Sequence, residues 1–234
     1  MYLRKKRKMK LIKFLKYICL DTVKNVKLAR SGIKKFDDYG LTLFEGCQGA
    51  GKSISMIKQL NDYRNEYGNE LFIATNCDFK FQDMQLEKFE DILLAVQRSK
   101  ELGCVGCVIG WDEIQNDFDN QTRTYPIAIL RTITQQRKQG IKILATSQVF
   151  TRVAKVIREQ TFEVVHCKTF LNRWTFQKYY DAIDYEYYIA NIEKNEKAEK
   201  LHPKMRYNFV QDDEIRSLYD SYAVIKSLEK FKDK

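Results

Sequence analysis

Eight residues, Gly46-Cys47-Gln48-Gly49-Ala50-Gly51-Lys52-Ser53, have the types and spacing needed to hold a polyphosphate. Glycines at 46, 49 and 51 let the backbone turn so that successive N–H groups face an anion, and a helix opening at Gly51 adds the positive end of its dipole. In this Walker A pattern the loop from Gly46 to Ile54 cradles phosphate, Lys52 reaches the β- and γ-phosphates, and Ser53 ligates Mg²⁺. A second group, Asp112-Glu113, follows an apolar run in the manner of a Walker B motif. Asp112 is expected to hold Mg²⁺, directly or through water, and Glu113 to orient and deprotonate the attacking water. The two motifs together predict an ATPase that uses ATP and Mg²⁺ and releases ADP and phosphate.

Those groups can act only if strands and helices bring them to one place. Gly40–Glu45 reads as a short buried strand, and Ile54, Ile57, Leu60 and Tyr63 recur at helical spacing until Gly68. Residues 71–76 read as a second strand followed by a polar loop, and Leu86–Leu102 as a helix with Phe89, Ile92, Leu93 and Val96 inward. Residues 104–111 form an apolar strand that delivers Asp112 to its carboxyl end, where open α/β sheets bind ligands. Gly110 within it predicts a bulge or close packing.

Thr124 can cap a helix with Pro126 in its first turn and Ile127, Leu130, Ile133 and Thr134 inward, ended by Gln135 to Gly140. The strand 141–146 carries Ser147-Gln148 at its end. Placed beside the Walker B strand, Gln148 would face the γ-phosphate and sense it. Arginines 123, 131, 137, 152 and 158 are candidates for a finger reaching a neighbouring subunit's site. Arg137 comes first because its helix is expected to end at the sheet's carboxyl edge, and Arg158 second.

Residues 149–160 read as a short helix, 161–167 as a strand, and 171–173 as a hairpin turn returning through 174–180. Tyr179, Tyr180, Tyr185, Tyr187 and Tyr188 could stack bases, although covering a half-buried sheet or an interface is the commoner use of such residues. Residues 193–208 read as a linker, and Asp212 or Asp213 caps a terminal helix to Lys230 with Ile215, Leu218, Tyr222, Ile225 and Leu228 inward. The expected organisation is a basic arm (1–35), a P-loop α/β core with a mainly parallel sheet flanked by helices (36–192), and a linker with a terminal helix (193–234).

Charge is divided along the same lines. Thirteen lysines and arginines against Asp21 alone give residues 1–35 a charge of +12, which leaves −2 on residues 36–234 of a chain whose net charge is +10. Residues 1–8 are expected to be disordered, and Leu11, Leu15, Ile18, Thr22, Val26 and Ala29 to form one stripe of a basic amphipathic helix. Such an arm can lie on an anionic membrane, grip nucleic-acid phosphates, or dock on a subunit. The six cysteines do not form a disulfide pattern, which points to a reducing cytoplasm. Cys104 and Cys107 have zinc spacing without a convincing second pair. No apolar run is long enough to span a membrane as a helix, and lysines at 10, 13 and 16 interrupt any secretory signal.

The order of P-loop, Thr75-Asn76, Asp112-Glu113, Arg137-Lys138-Gln139-Gly140 and the strand ending in Gln148 resembles the zonular-occludens-toxin-like phage ATPases, within the FtsK/HerA and viral genome-packaging group, over residues 38–168. The resemblance implies an additional-strand (RecA-like) P-loop ATPase that forms a ring, a hexamer for instance. Such an enzyme moves or packages double-stranded DNA, or serves phage assembly at the inner membrane. It also implies phosphate and Mg²⁺ binding by Lys52 and Ser53, a Walker B pair at Asp112 and Glu113, a sensor at Gln148 and a finger at Arg137. Filamentous-phage members continue into a transmembrane helix and an outer domain that this sequence lacks. The balance of expectation is therefore a packaging motor, with a membrane-surface assembly ATPase contacting phage proteins or lipid through residues 1–35 as the alternative. A near-neutral body counts against a DNA channel unless its charge is locally segregated.

Overall fold

The computed structural model describes residues 2–30, 34–118, 127–193 and 200–219, with backbone only at 2–9, 25, 28–30, 127–130 and 193. Two compact units result, Met1–Phe36 and Asp37–Lys234. The first is dominated by a single helix, α1 (Tyr2–Arg30), which begins where disorder was expected. Its exposed apolar side chains are not confined to one stripe, because Ile12, Phe14, Tyr17 and Val23 lie off the line of Leu11, Leu15 and Ile18.

In the second unit, β1 (Gly40–Glu45), β2 (Leu71–Thr75), β4 (Gly106–Trp111) and β5 (Ile141–Ser147) are buried at every residue. Continuous burial is the mark of parallel strands covered on both faces. With the two-residue β3 (Met84–Gln85) and the long β6 (Thr161–Phe170), they form the parallel part of an eight-stranded sheet of order β3-β2-β4-β5-β1-β6-β7-β8. Two antiparallel strands, β7 (Trp174–Asp181) and β8 (Met205–Val210), complete it. The helices are α2 (Lys52–Tyr67), α3 (Asp91–Glu101), α4 (Ile127–Thr134), α5 (Gln136–Gln139), α6 (Lys155–Arg158), α7 (Ala182–Glu193) and α8 (Asp213–Arg216).

Several boundaries move for identifiable reasons. The strand expected from Cys104 begins at Gly106, and α3 begins at Asp91, whose carboxylate accepts from the Glu87 and Lys88 N–H groups. Gly110 makes no bulge, since its pairs with Thr75 and Leu144 are in register. It is instead a close approach: a Cβ there would lie 3.0 Å from both Leu60 Cδ1 and Thr75 Cγ2. On α4, Thr134 is exposed and Thr132 buried, reversing one expected inward position; Thr124 and Pro126 lie outside the described residues. Residues 149–160 form a 3₁₀ turn (Phe150–Arg152) and α6 in place of one helix.

The stretch read as a linker contains β8, paired with β7, and the segment before it is α7. A polar strand at a sheet edge alternates weakly and is easily taken for a loop. Asp212 does cap α8, accepting from the Ile215 N–H at 2.8 Å, while Tyr222, Ile225 and Leu228 lie outside the described residues. Leu171 and Asn172, both left-handed, make the predicted hairpin turn.

Candidate nucleotide site

The loop after β1 turns on three glycines with positive φ, at 46, 49 and 51. Two also have no room for a side chain: a Cβ on Gly46 would lie 2.9 Å from the Cys167 carbonyl oxygen, and one on Gly51 would collide with Thr169 Oγ1. Cys47, Gln48 and Gly49 are exposed at the loop's crest, Ala50 is buried, and Ile54 is half-buried in the first turn of α2. Lys52 is 6% exposed. Its ammonium lies 3.4 Å from the Cys47 carbonyl oxygen and 3.8 Å from Glu113 Oε1, curled over the loop it would vacate when phosphate enters.

Sheet order brings the second motif to the first. β5 lies between β1 and β4, so Asp112, one step past the Trp111–Ala145 pair, stands beside Thr146. Ser53 Oγ and Thr146 Oγ1 both donate to Asp112 Oδ1, at 2.8 and 2.6 Å. Tyr219 Oη donates to Asp112 Oδ2 at 3.2 Å. Burial, then the Asp112 charge, pushes the Tyr219 phenol well above its ordinary range, so it stays a donor. The backbone is held as firmly: Asp112 N–H donates to Asn76 Oδ1 at 2.6 Å, and Asn76 Nδ2 donates back to the Asp112 carbonyl at 3.0 Å. Glu113, left-handed at φ 53°, donates its N–H to Thr146 Oγ1 at 2.8 Å, and its carboxylate accepts from Gln115 Nε2. A strained backbone at a carboxylate that faces a buried lysine is characteristic of a functional position.

The donor set fits Mg²⁺. A hydroxyl and a carboxylate oxygen 2.8 Å apart offer hard ligands and leave the remaining positions to water and phosphate, as Mg²⁺ requires. No group of three or more His, Cys, Asp or Glu side chains able to hold a metal occurs among the described residues, and this includes Cys104 and Cys107. The described cysteines are all unpaired.

Gln148 lies one step beyond the Glu45–Ser147 pair, level with Gly46, and is exposed. β5 therefore does run beside the Walker B strand, which was the condition for a sensor there. Arg137 is placed otherwise. Its helix ends at Gly140, immediately before β5, and its guanidinium lies 5.6 Å from the Tyr39 ring centroid, just before β1. That is the amino edge of the sheet, a strand length of about 20 Å from the P-loop. The reason is topological: a helix leading into a parallel strand must return the chain to the amino edge. Arg137 is thus remote from the site of its own chain. Arg158 is engaged elsewhere, with Nη1 2.7 Å from Glu186 Oε1 and the guanidinium 5.5 Å from the Phe150 ring centroid.

A polar network beneath the P-loop escaped the sequence analysis. Thr169 Oγ1 donates to the Ala50 carbonyl at 3.0 Å, lies 2.9 Å from Thr175 Oγ1, and Gln211 Nε2 donates to Thr175 at 2.7 Å. Beside it Glu45 is buried, accepting from Tyr185 Oη and lying 3.1 Å from His166 Nδ1. Only the period-two alternation of Thr169 and Cys167 with exposed neighbours hinted at these roles.

A P-loop strand, an inserted parallel strand and a Walker B strand, in that order, define an additional-strand P-loop NTPase fold. The chain is similar to the N-terminal domain of zonular occludens toxin from Neisseria meningitidis, with 14% identity, a TM-score of 0.51, and coverage of 77% of this chain and 98% of that one. It is also similar to the genome packaging NTPase B204 from Sulfolobus turreted icosahedral virus 2 in complex with AMPPCP, at 13% identity and a TM-score of 0.48, covering 79% and 96%. No family model and no curated protein matches the sequence. The likeness to the toxin domain is one of fold.

Proposed function

We infer that this protein hydrolyses ATP and uses the energy to move or package DNA. The observation that carries the hydrolytic reading is the convergence of Ser53 and Thr146 on Asp112 Oδ1, with Glu113 beside Lys52. In this reading the P-loop N–H groups and Lys52 bind the phosphates, while Ser53 and Asp112 hold Mg²⁺. Bound Mg²⁺ supplies neutralisation of charge on the β- and γ-phosphate oxygens. Glu113 takes the proton of the attacking water, and Gln148, level with the P-loop, hydrogen-bonds the γ-phosphate. DNA as the partner, and assembly into a ring, rest on the order of motifs shared with phage and viral ATPases. Steady-state phosphate release with and without single- and double-stranded DNA, with Lys52→Ala as blank, tests this. Stimulation by DNA that vanishes in the blank is expected; turnover indifferent to DNA would remove the motor reading.

The exposed apolar residues of the basic helix α1 favour a second reading, a membrane-surface assembly ATPase. No helix among the described residues is long and apolar enough to cross a membrane. Stimulation by anionic liposomes in place of DNA would select this alternative.

A further inference from the structure

The antiparallel end of the sheet carries a surface that the nucleotide chemistry does not use. On one face of β6, β7 and β8 the cross-strand rows are Phe170-Trp174-Val210, Lys168-Phe176-Asn208 and His166-Lys178-Arg206. All nine residues are exposed, and none is acidic. Phe170, Trp174 and Phe176 are 58%, 45% and 39% exposed, on a face where strand residues ordinarily alternate to polar. The Trp174 and Phe176 rings lie 4.8 Å apart, and Trp174 Nε1 donates to Asn208 Oδ1 at 3.0 Å, which holds the indole in place. Among the described residues Lys168, Lys178 and Arg206 form no ion pair.

We propose that this face is a binding platform for single-stranded nucleic acid, with Phe170, Trp174 and Phe176 stacking bases and Lys168, Lys178 and Arg206 holding phosphates. The proposal rests on the nucleic-acid partner inferred above and names its form. Flat aromatic faces gain nothing from a duplex, whose bases are already stacked, whereas every unpaired base has a free π-face. Cations in the rows beside the rings supply partners for the phosphates of a splayed strand and argue against an apolar protein partner. The charge segregation that a near-neutral body requires is present here.

The same strands reach the P-loop from their other face. Thr169, between Lys168 and Phe170, holds the Ala50 carbonyl, and Thr175, between Trp174 and Phe176, holds Thr169. These hydrogen bonds tie the P-loop directly to the two strands that carry the rings.

The test is binding of fluorescein-labelled oligothymidylate to the full chain, read by anisotropy across a salt series beside a duplex of equal length. Trp174→Ala/Phe176→Ala is expected to weaken oligothymidylate binding about tenfold or more. Changing Lys168, Lys178 and Arg206 to Gln should lower the salt-dependence slope by about 2. Oligothymidylate should quench tryptophan fluorescence through Trp174, since Trp111 is 2% exposed, and Trp174→Phe should keep binding but abolish the quench. Unchanged affinity in the aromatic double variant, with melting temperature unaltered, would overturn the platform. So would dissociation of the protein into smaller species by that variant, which would assign the face to contact between copies. Binding of duplex alone sinks the platform and leaves the DNA reading standing; binding of neither nucleic acid sinks both.

Discussion

The parallel and antiparallel halves of the sheet bury their residues in different ways. In β1, β2, β4 and β5 every residue is buried, and Glu45, Thr75, Thr146 and Ser147 gather polar side chains at the carboxyl ends, beside the glycine loop and Asp112, while Thr42 and Lys142 lie further back in β1 and β5. In β6 and β7 burial alternates, and in β8 only Phe209 is buried: one face holds Thr169, Thr175 and Gln177 against α2 and the P-loop, while the other presents rings and cations to solvent. Backbone pairing explains the difference. Parallel strands joined by crossing helices are covered on both faces, whereas a hairpin added at the edge can leave one face open. Chemistry thus belongs to strand ends in one half and to a strand face in the other.

Breaking this division should be easiest at the strand ends. Glu113→Gln is expected to lower phosphate release about 10²–10⁴-fold while nucleotide binding persists, because it keeps the proposed Mg²⁺ ligands and removes the proposed base. A loss below tenfold would reassign the base. The cysteines sharpen the contrast between loop and core. Burial pushes Cys77 and Cys167 up to about 12, Cys77 also through the Asp112 charge. At pH 8 each holds its thiolate at a fraction of about 10⁻⁴, so alkylation should be on the order of a thousandfold slower than for an ordinary thiol. The exposed Cys47 should react and be protected by ATP with Mg²⁺, as peptide mapping after iodoacetamide would reveal.

Smaller effects come from the packing between the halves. Gly110→Ala, forced against Leu60 and Thr75, should cost about 1–3 kcal/mol in denaturant unfolding. Thr169→Val removes the donor to the Ala50 carbonyl and should cost about 1–2 kcal/mol, with weaker ATP binding but little change in kcat at saturation. If kcat fell with it, the antiparallel half would be part of the chemistry and the division would fail. Tyr219→Phe should have the least effect, a few-fold rise in the Mg²⁺ concentration for half-maximal activity, since one hydrogen bond is worth about 1 kcal/mol.

Much of the site was legible because its signals are local. Three glycines, a lysine and a serine at fixed spacing specify a loop conformation wherever they occur, and Gly68 and Gly140, both with positive φ, stop their helices as expected. Arg137 shows where local reading fails: its helix was recognised, but the edge at which that helix ends depends on the direction of the next strand. β8 was missed because its inward face carries Tyr207 and Phe209 among polar neighbours, a pattern that means little until β7 is beside it.

By itself the sequence determined the P-loop, the Walker B carboxylates, the hairpin turn and the confinement of net positive charge to residues 1–35, since each is written in contiguous residues. Tertiary structure alone decided that Asn76, Thr146 and Tyr219 converge on Asp112, that Arg137 lies at the far edge, and that three rings and three cations share one face. Those are consequences of strand order and register, which pair residues distant in the chain and leave no periodic trace within any one segment.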